Sequence, residues 1–131
     1  MILVDSNVPM YLVGAEHPHK ASAQRLLDDL IMHEEPLVTD VEVLQEILHR
    51  YTAIERVDAI QPAFDAVLMI VEEVLPIGLE EAEEAKRVVM GGYGVSARDA
   101  IHIAAMRSRG TDRILSFDRG FDRVPGIDRI S

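Results

Sequence analysis

Carboxylates close three of the chain's apolar, strand-forming runs: ILVD at residues 2–5, LVTD at 37–40 and ILSFD at 114–118. Ser6 and Asn7 follow Asp5, Thr39 precedes Asp40, and Ser116 and Phe117 precede Asp118. An acid in such a place can cap the next helix, because Asp, Ser and Asn side chains accept hydrogen bonds from the free N–H groups of a first turn. VPMYLVG, with Pro9 near its start, suits a helix capped by Asp5 or Ser6. Alternatively, parallel strands share one carboxyl edge, where open α/β sheets bind their ligands. Three acids on three strands favour convergence on that edge.

Further acids come from helical segments. Glu42 and Glu46 lie one turn apart in VEVLQEILHR, on the side away from its apolar stripe. Glu46 also precedes Arg50 by four residues, the spacing of a surface ion pair. Asp99 stands three residues after Ser96 in SARD, like a capping box with Asp in place of Glu or Gln. Which of Asp40, Glu42 and Glu46 faces a cleft is left open by one helix's periodicity.

Converging carboxylates repel: two unit charges ~4 Å apart cost about 4 kcal/mol at an effective dielectric of about 20. A hard divalent cation relieves this. Mg2+ and Mn2+ take oxygen ligands in octahedral geometry and support displacement at phosphorus. The formal net charge of −10 rules out a broad basic platform for nucleic acid. It leaves room for a small site where metal ions supply positive charge. The charge is also uneven: residues 1–97 carry a net −12, and residues 98–131 a net +2 in which every cation is arginine.

The elements that must position these groups alternate. Strands are expected at 2–5, 36–40, 74–77, 113–118 and 126–131, the third of them at an edge or end because of Pro76. Helices are expected at 8–13, 17–33, 41–51, 57–73, 79–90 and 96–110. This is an α/β chain with a mostly parallel sheet, in one domain spanning 1–131. Without cysteine there is no thiolate site. No basic-then-apolar leader opens the chain and no apolar run nears the ~18 residues of a membrane span, so a cytoplasmic protein is expected. Among the histidines, His17 and His19 read as solvated, His33 as a helix end, and His102 as an ordinary helix residue, with a hydrogen bond to Asp99, one turn before it, as the lesser alternative. No histidine pair has zinc-site spacing.

Taken in order, ILVDSN, LVTDVEVLQEIL, SARDAIHIA and ILSFDRGFDRVPGI resemble a PIN-domain ribonuclease of the VapC toxin type, found in bacterial VapBC toxin–antitoxin pairs. The resemblance runs from end to end. It implies a three-layer α/β/α fold with a short, mostly parallel sheet, and an acidic site for Mg2+ or Mn2+. Its ligands would be Asp5, Glu46, Asp99 and Asp118, with Asp122 as a further ligand or support. Ser6, Asn7 and Ser116 would orient the acids, and Arg98 would touch substrate phosphate or form a surface salt bridge. The implied reaction is endonucleolytic cleavage of structured RNA, tRNA before ribosomal RNA, leaving 5′-phosphate and 3′-hydroxyl ends. The implied partners are a second copy of the chain and a VapB-type antitoxin. The antitoxin's C-terminal segment would reach the acids and compete with metal through an arginine or lysine. The apolar helices at 8–31 and 57–71 are candidate docking surfaces, although core packing accounts for most of their apolar faces. Two rivals are a receiver-like phosphoacceptor domain and a non-catalytic PIN-like binding module. The first needs an Asp on a middle strand and a late lysine, where this chain has VLPI and ILSFDR. The second is expected to have lost acids, and none is missing.

Overall fold

In a computed structural model, which describes all 131 residues, five short strands make one wholly parallel sheet in the order β3-β2-β1-β4-β5. The strands are β1 (Ile2–Val4), β2 (Leu37–Asp40), β3 (Glu73–Leu75), β4 (Arg113–Leu115) and β5 (Asp128–Ile130). The helices are α1 (Asn7–Val13), α2 (Pro18–Met32), α3 (Val41–Ala53), α4 (Ile60–Leu68), α5 (Leu79–Met90) and α6 (Ala97–Ser108). Short 3-10 turns lie at Val57–Ala59 and Arg119–Arg123. No helix is long and apolar enough to cross a membrane.

The central strand explains the site's position. Ile2, Leu3 and Val4 are fully buried, as a strand covered on both faces must be. Leu3 pairs with Val38 on one side and Ile114 on the other. The chain steps outward from β1 to β2 and β3, then returns past β1 to β4. With right-handed crossovers, that reversal puts α1–α4 on one face and α5 and α6 on the other, giving three layers. Accordingly α1 packs on α2 and α4, and α5 packs on α6. The strand order reverses between β1 and β4, where the carboxyl ends of parallel strands open a crevice.

Most boundaries differ from the expected ones by one or two residues, and three differences have a cause that bears on the site. The helix expected over 57–73 is a 3-10 turn followed by α4, which ends at Leu68. Pro62 lacks an N–H and crowds the residue four positions back, so the regular helix begins just before it. Beyond α4, the Glu72 N–H donates to the Leu37 carbonyl and draws the chain into the sheet. The third strand stops at Leu75, before Pro76, on the sheet's edge. The fourth stops at Leu115, so Asp118 stands on a turn beyond the strand rather than at its last residue.

Candidate active site at the carboxyl edge of the sheet

Asp5 follows β1 directly and is 4% exposed. It does not cap α1: its Oδ1 accepts the Ser6 N–H at 2.7 Å and its Oδ2 accepts the Ser116 hydroxyl at 2.6 Å. Ser116, past the end of β4, thus binds the two sides of the strand reversal together. The Asn7 amide lies 3.4 Å from Asp5 Oδ2 and 3.3 Å from Ser116 Oγ. Ser116 Oγ also accepts the Asp118 N–H at 3.0 Å. Burial pushes the Asp5 carboxyl above its ordinary value, more than His102 and Ser116 hold it down.

Glu46 does not pair with Arg50; it turns inward. Its Oε2 accepts the Ser6 hydroxyl at 2.5 Å and its Oε1 lies 3.0 Å from His102 Nε2. Burial alone would raise it, but His102, Ser6 and Arg98 outweigh burial and hold it below the ordinary range. Glu42 is half-buried and raised, by burial and then by the Glu46 charge. Asp40 is fully buried and lies outside the cleft. One of its oxygens caps α3 through the Val43 N–H at 2.8 Å, and the other lies 2.7 Å from His102 Nδ1.

His102 has a role that its place in the sequence does not show. It bonds Asp40 and Glu46 rather than Asp99, with Asp5 Oδ1 3.6 Å from Nε2. Both ring nitrogens face carboxylate oxygens, which only accept, so both carry protons and the ring is an imidazolium. Burial opposes that charge, but the bond to Asp40 and its charge, then Glu46 and Asp5, hold the ring well above the ordinary histidine range. Ligand atoms of Asp5, Glu46 and His102 lie within 4.8 Å of one another, a spacing that could hold a metal ion. An imidazolium has no free lone pair, so the oxygens must do the holding.

Asp99 and Asp118 complete the set. Ser96 caps α6 through the Asp99 N–H at 3.1 Å, leaving the Asp99 carboxyl free to face Asp118. Its pKa is pushed up to about 7, by burial and then by the charges of Asp118 and Asp5. All four acids line one open cleft of about 770 Å3. A donor set of clustered, partly buried carboxylate oxygens fits a hard divalent cation. Asp122 does not join them: it is exposed, held by Arg129 at 2.9 and 3.0 Å, and its pKa is lowered by that bond. His17 and His19, expected to be solvated, stack on Tyr11 and Phe117 with ring centroids 4.5 Å apart in each pair.

Gly120 sits against the two outer acids. A Cβ there would lie 3.1 Å from Asp118 Oδ1 and 3.5 Å from Asp99 Oδ2. Its backbone is outside the left-handed region, so alanine is tolerated by the chain. Gly120→Ala is therefore expected to fold normally and to weaken Mg2+ binding by about tenfold. Calorimetric titration beside a melting curve checks this; unchanged affinity would show that the two acids do not share an ion.

A model of the PIN domain matches residues 2–127. Ribonuclease VapC13 of Mycobacterium tuberculosis is 59% identical over 131 residues, all of both chains. Among solved structures, VapC20 of M. tuberculosis, described as a toxin cleaving the sarcin–ricin loop, superposes with a TM-score of 0.76 at 24% identity, covering 93% of each chain. VapBC2 of Rickettsia felis, solved with a DNA fragment from its promoter, gives a TM-score of 0.73 at 15% identity, covering 99% of this chain and 98% of that one. At those identities the two structures speak for the fold.

Proposed function

Since the chain belongs to the PIN-domain family, and within it to the VapC ribonucleases, we propose that it is the endoribonuclease toxin of a toxin–antitoxin pair, dependent on Mg2+ or Mn2+. Its substrate is structured RNA in the cytoplasm, tRNA first. The observation that carries this reading is the meeting of Asp5, Glu46, Asp99 and Asp118 on one cleft, with the two most buried acids locked by Ser6, Ser116 and His102. The phosphoacceptor reading lacks its late lysine: Arg119 follows Asp118, and the central strand's Asp5 is tied up by Ser6 and Ser116.

Asp5, Glu46, Asp99 and Asp118 would hold the cation. When bound, such an ion stabilises charge on the phosphoryl oxygens and makes water nucleophilic at neutral pH. The chain's own part is orientation. Ser116 and the Ser6 N–H fix both oxygens of Asp5, and Ser6 and His102 fix both oxygens of Glu46. Water adds to phosphorus and the P–O3′ bond breaks, leaving 5′-phosphate and 3′-hydroxyl ends. An antitoxin that brings a basic side chain to the same acids competes with metal by charge. Ile31 and Met32 at the end of α2, and Leu68 and Met69 at the end of α4, are exposed and support docking of an apolar segment there. A second copy of the chain is the other expected partner.

The test is RNA cleavage. Purified protein is incubated with tRNA and with ribosomal RNA, in Mg2+, Mn2+ or EDTA, beside Asp5→Asn prepared identically. Metal-dependent cleavage that disappears in the variant and leaves 5′-phosphate ends is the expected result. No cleavage above the variant, from protein that still binds metal, sinks the reading.

A further inference from the structure

The arginines divide by what they touch. Arg56, Arg87, Arg107, Arg109, Arg113 and Arg129 each hold a carboxylate. Arg25, Arg50, Arg98, Arg119 and Arg123 hold none within 4.0 Å, and all of these except Arg25 line the acidic cleft. In a chain with 23 acids, pairing is the easy outcome for a surface arginine, and it fails where the carboxylates already have Ser, His and backbone partners. The free arginines come from three elements: Arg50 near the end of α3, Arg98 in the first turn of α6, and Arg119 and Arg123 in the 3-10 turn after Asp118. Arg123 donates one N–H to the Gly94 carbonyl at 3.0 Å, which steadies it and leaves its other donors free.

We propose that Arg50, Arg98, Arg119 and Arg123 form a phosphate track over the acidic cleft, gripping the backbone of an unpaired RNA segment on either side of the bond that is cut. The inference rests on the ribonuclease reading. The guanidinium fork matches phosphate geometry, and the cleft needs such groups, because its carboxylates alone repel a polyanion. Arg98 also stands at the N-terminal end of a 12-residue helix, whose dipole favours an anion at that end. The track eases the conflict between a net charge of −10 and a nucleic-acid substrate: four arginines offset the four acids of the cleft, where a bound divalent cation would add further positive charge.

The test separates binding from cutting. Arg50→Gln/Arg119→Gln is built in the Asp5→Asn background, which disables the proposed chemistry and keeps the other arginines. Binding of a fluorescent single-stranded RNA oligonucleotide is followed by anisotropy across a salt series. The Kd is expected to weaken by about tenfold or more, and the slope of log K against log salt to fall by about 1.4, two contacts' worth for single strands. Arg25→Gln, an arginine equally free of carboxylates but away from the cleft, is expected to change neither. Equal Kd and slope in parent and double variant overturn the track, as does a parent that does not bind RNA. Salt-sensitive binding of an acidic peptide in place of RNA overturns it too, by assigning the arginines to a protein partner. With Asp5 restored, the same pair is expected to raise KM for RNA more than it lowers kcat. A protein that binds RNA through these arginines but cuts none refutes the ribonuclease reading and leaves the track standing; one that cuts with KM unmoved does the reverse.

Discussion

Mg2+ affinity is expected to rise by about tenfold per pH unit between pH 5 and 7 and then level off. In the metal-free protein burial and the charges of Asp118 and Asp5 push Asp99 up to about 7, so at lower pH the group holds a proton that must leave before it can coordinate. The same shift fixes the sign of the stability effect. The folded chain keeps a proton that an unfolded Asp has already released, so between about pH 4 and 7 Asp99 lowers stability progressively as pH rises. His102 acts in the same direction: its stabilisation is full below about pH 6.5, the unfolded value, diminishes above it and is gone once pH has passed the raised folded value. Metal-free protein should therefore melt lower at pH 7 than at pH 5, and saturating Mg2+ should shrink the difference. Calorimetry in two buffers of different ionisation enthalpy counts the protons: about one is released per ion bound at pH 6, and clearly fewer in Asp99→Asn. Flat affinity from pH 5 to 7 would remove Asp99 from the ligand set.

His102→Ala is expected to be the most damaging change to stability, costing about 3–5 kcal/mol, as does removing one partner of a buried ion pair. The variant leaves Asp40, fully buried, and Glu46, 8% exposed, without the cation between them. The melting temperature should fall by roughly 10 °C or more. Mg2+ should recover more of the loss in this variant than it adds to wild type, because a cation beside Asp5 and Glu46 replaces part of the missing charge. A loss under about 1 kcal/mol, within the range of exposed pairs, would show that the imidazolium is not what holds these acids.

The strand ends were readable from sequence because an apolar run that stops on Asp is a local signal, and Asp5 and Asp118 are found beside the β1–β4 reversal. Glu46 was readable only in part. Its periodicity gives an outward position on α3, and nothing within that helix says that α6 covers the position and supplies His102. The signal for His102 lies in α6 itself: Ala100 and Ile103–Met106 are all buried, so a histidine among them has to find a partner. Which partner depends on how α6 crosses α3, a long-range matter. Asp122 shows the same limit: adjacency to Asp118 offered it as a further ligand or support, and only the fold shows that Arg129 on β5 holds it. The stack of Tyr11, His17, His19 and Phe117 joins residues about 100 positions apart, which no local pattern could show.

The pairing of Leu3 with Ile114 has a consequence for the protein's own synthesis. A chain made from its N-terminus has its first acid out long before the strand that will lie beside it. Until β4 and the turn after it emerge, Asp5 lacks the Ser116 hydroxyl, Asp99 lacks its neighbour Asp118, and Arg119 and Arg123 are absent. Elongation at about 5–20 residues per second makes that interval one of seconds. Through it, the nascent chain stays beside the ribosomal RNA and messenger of the machine that is building it, with its nuclease centre still in separate pieces.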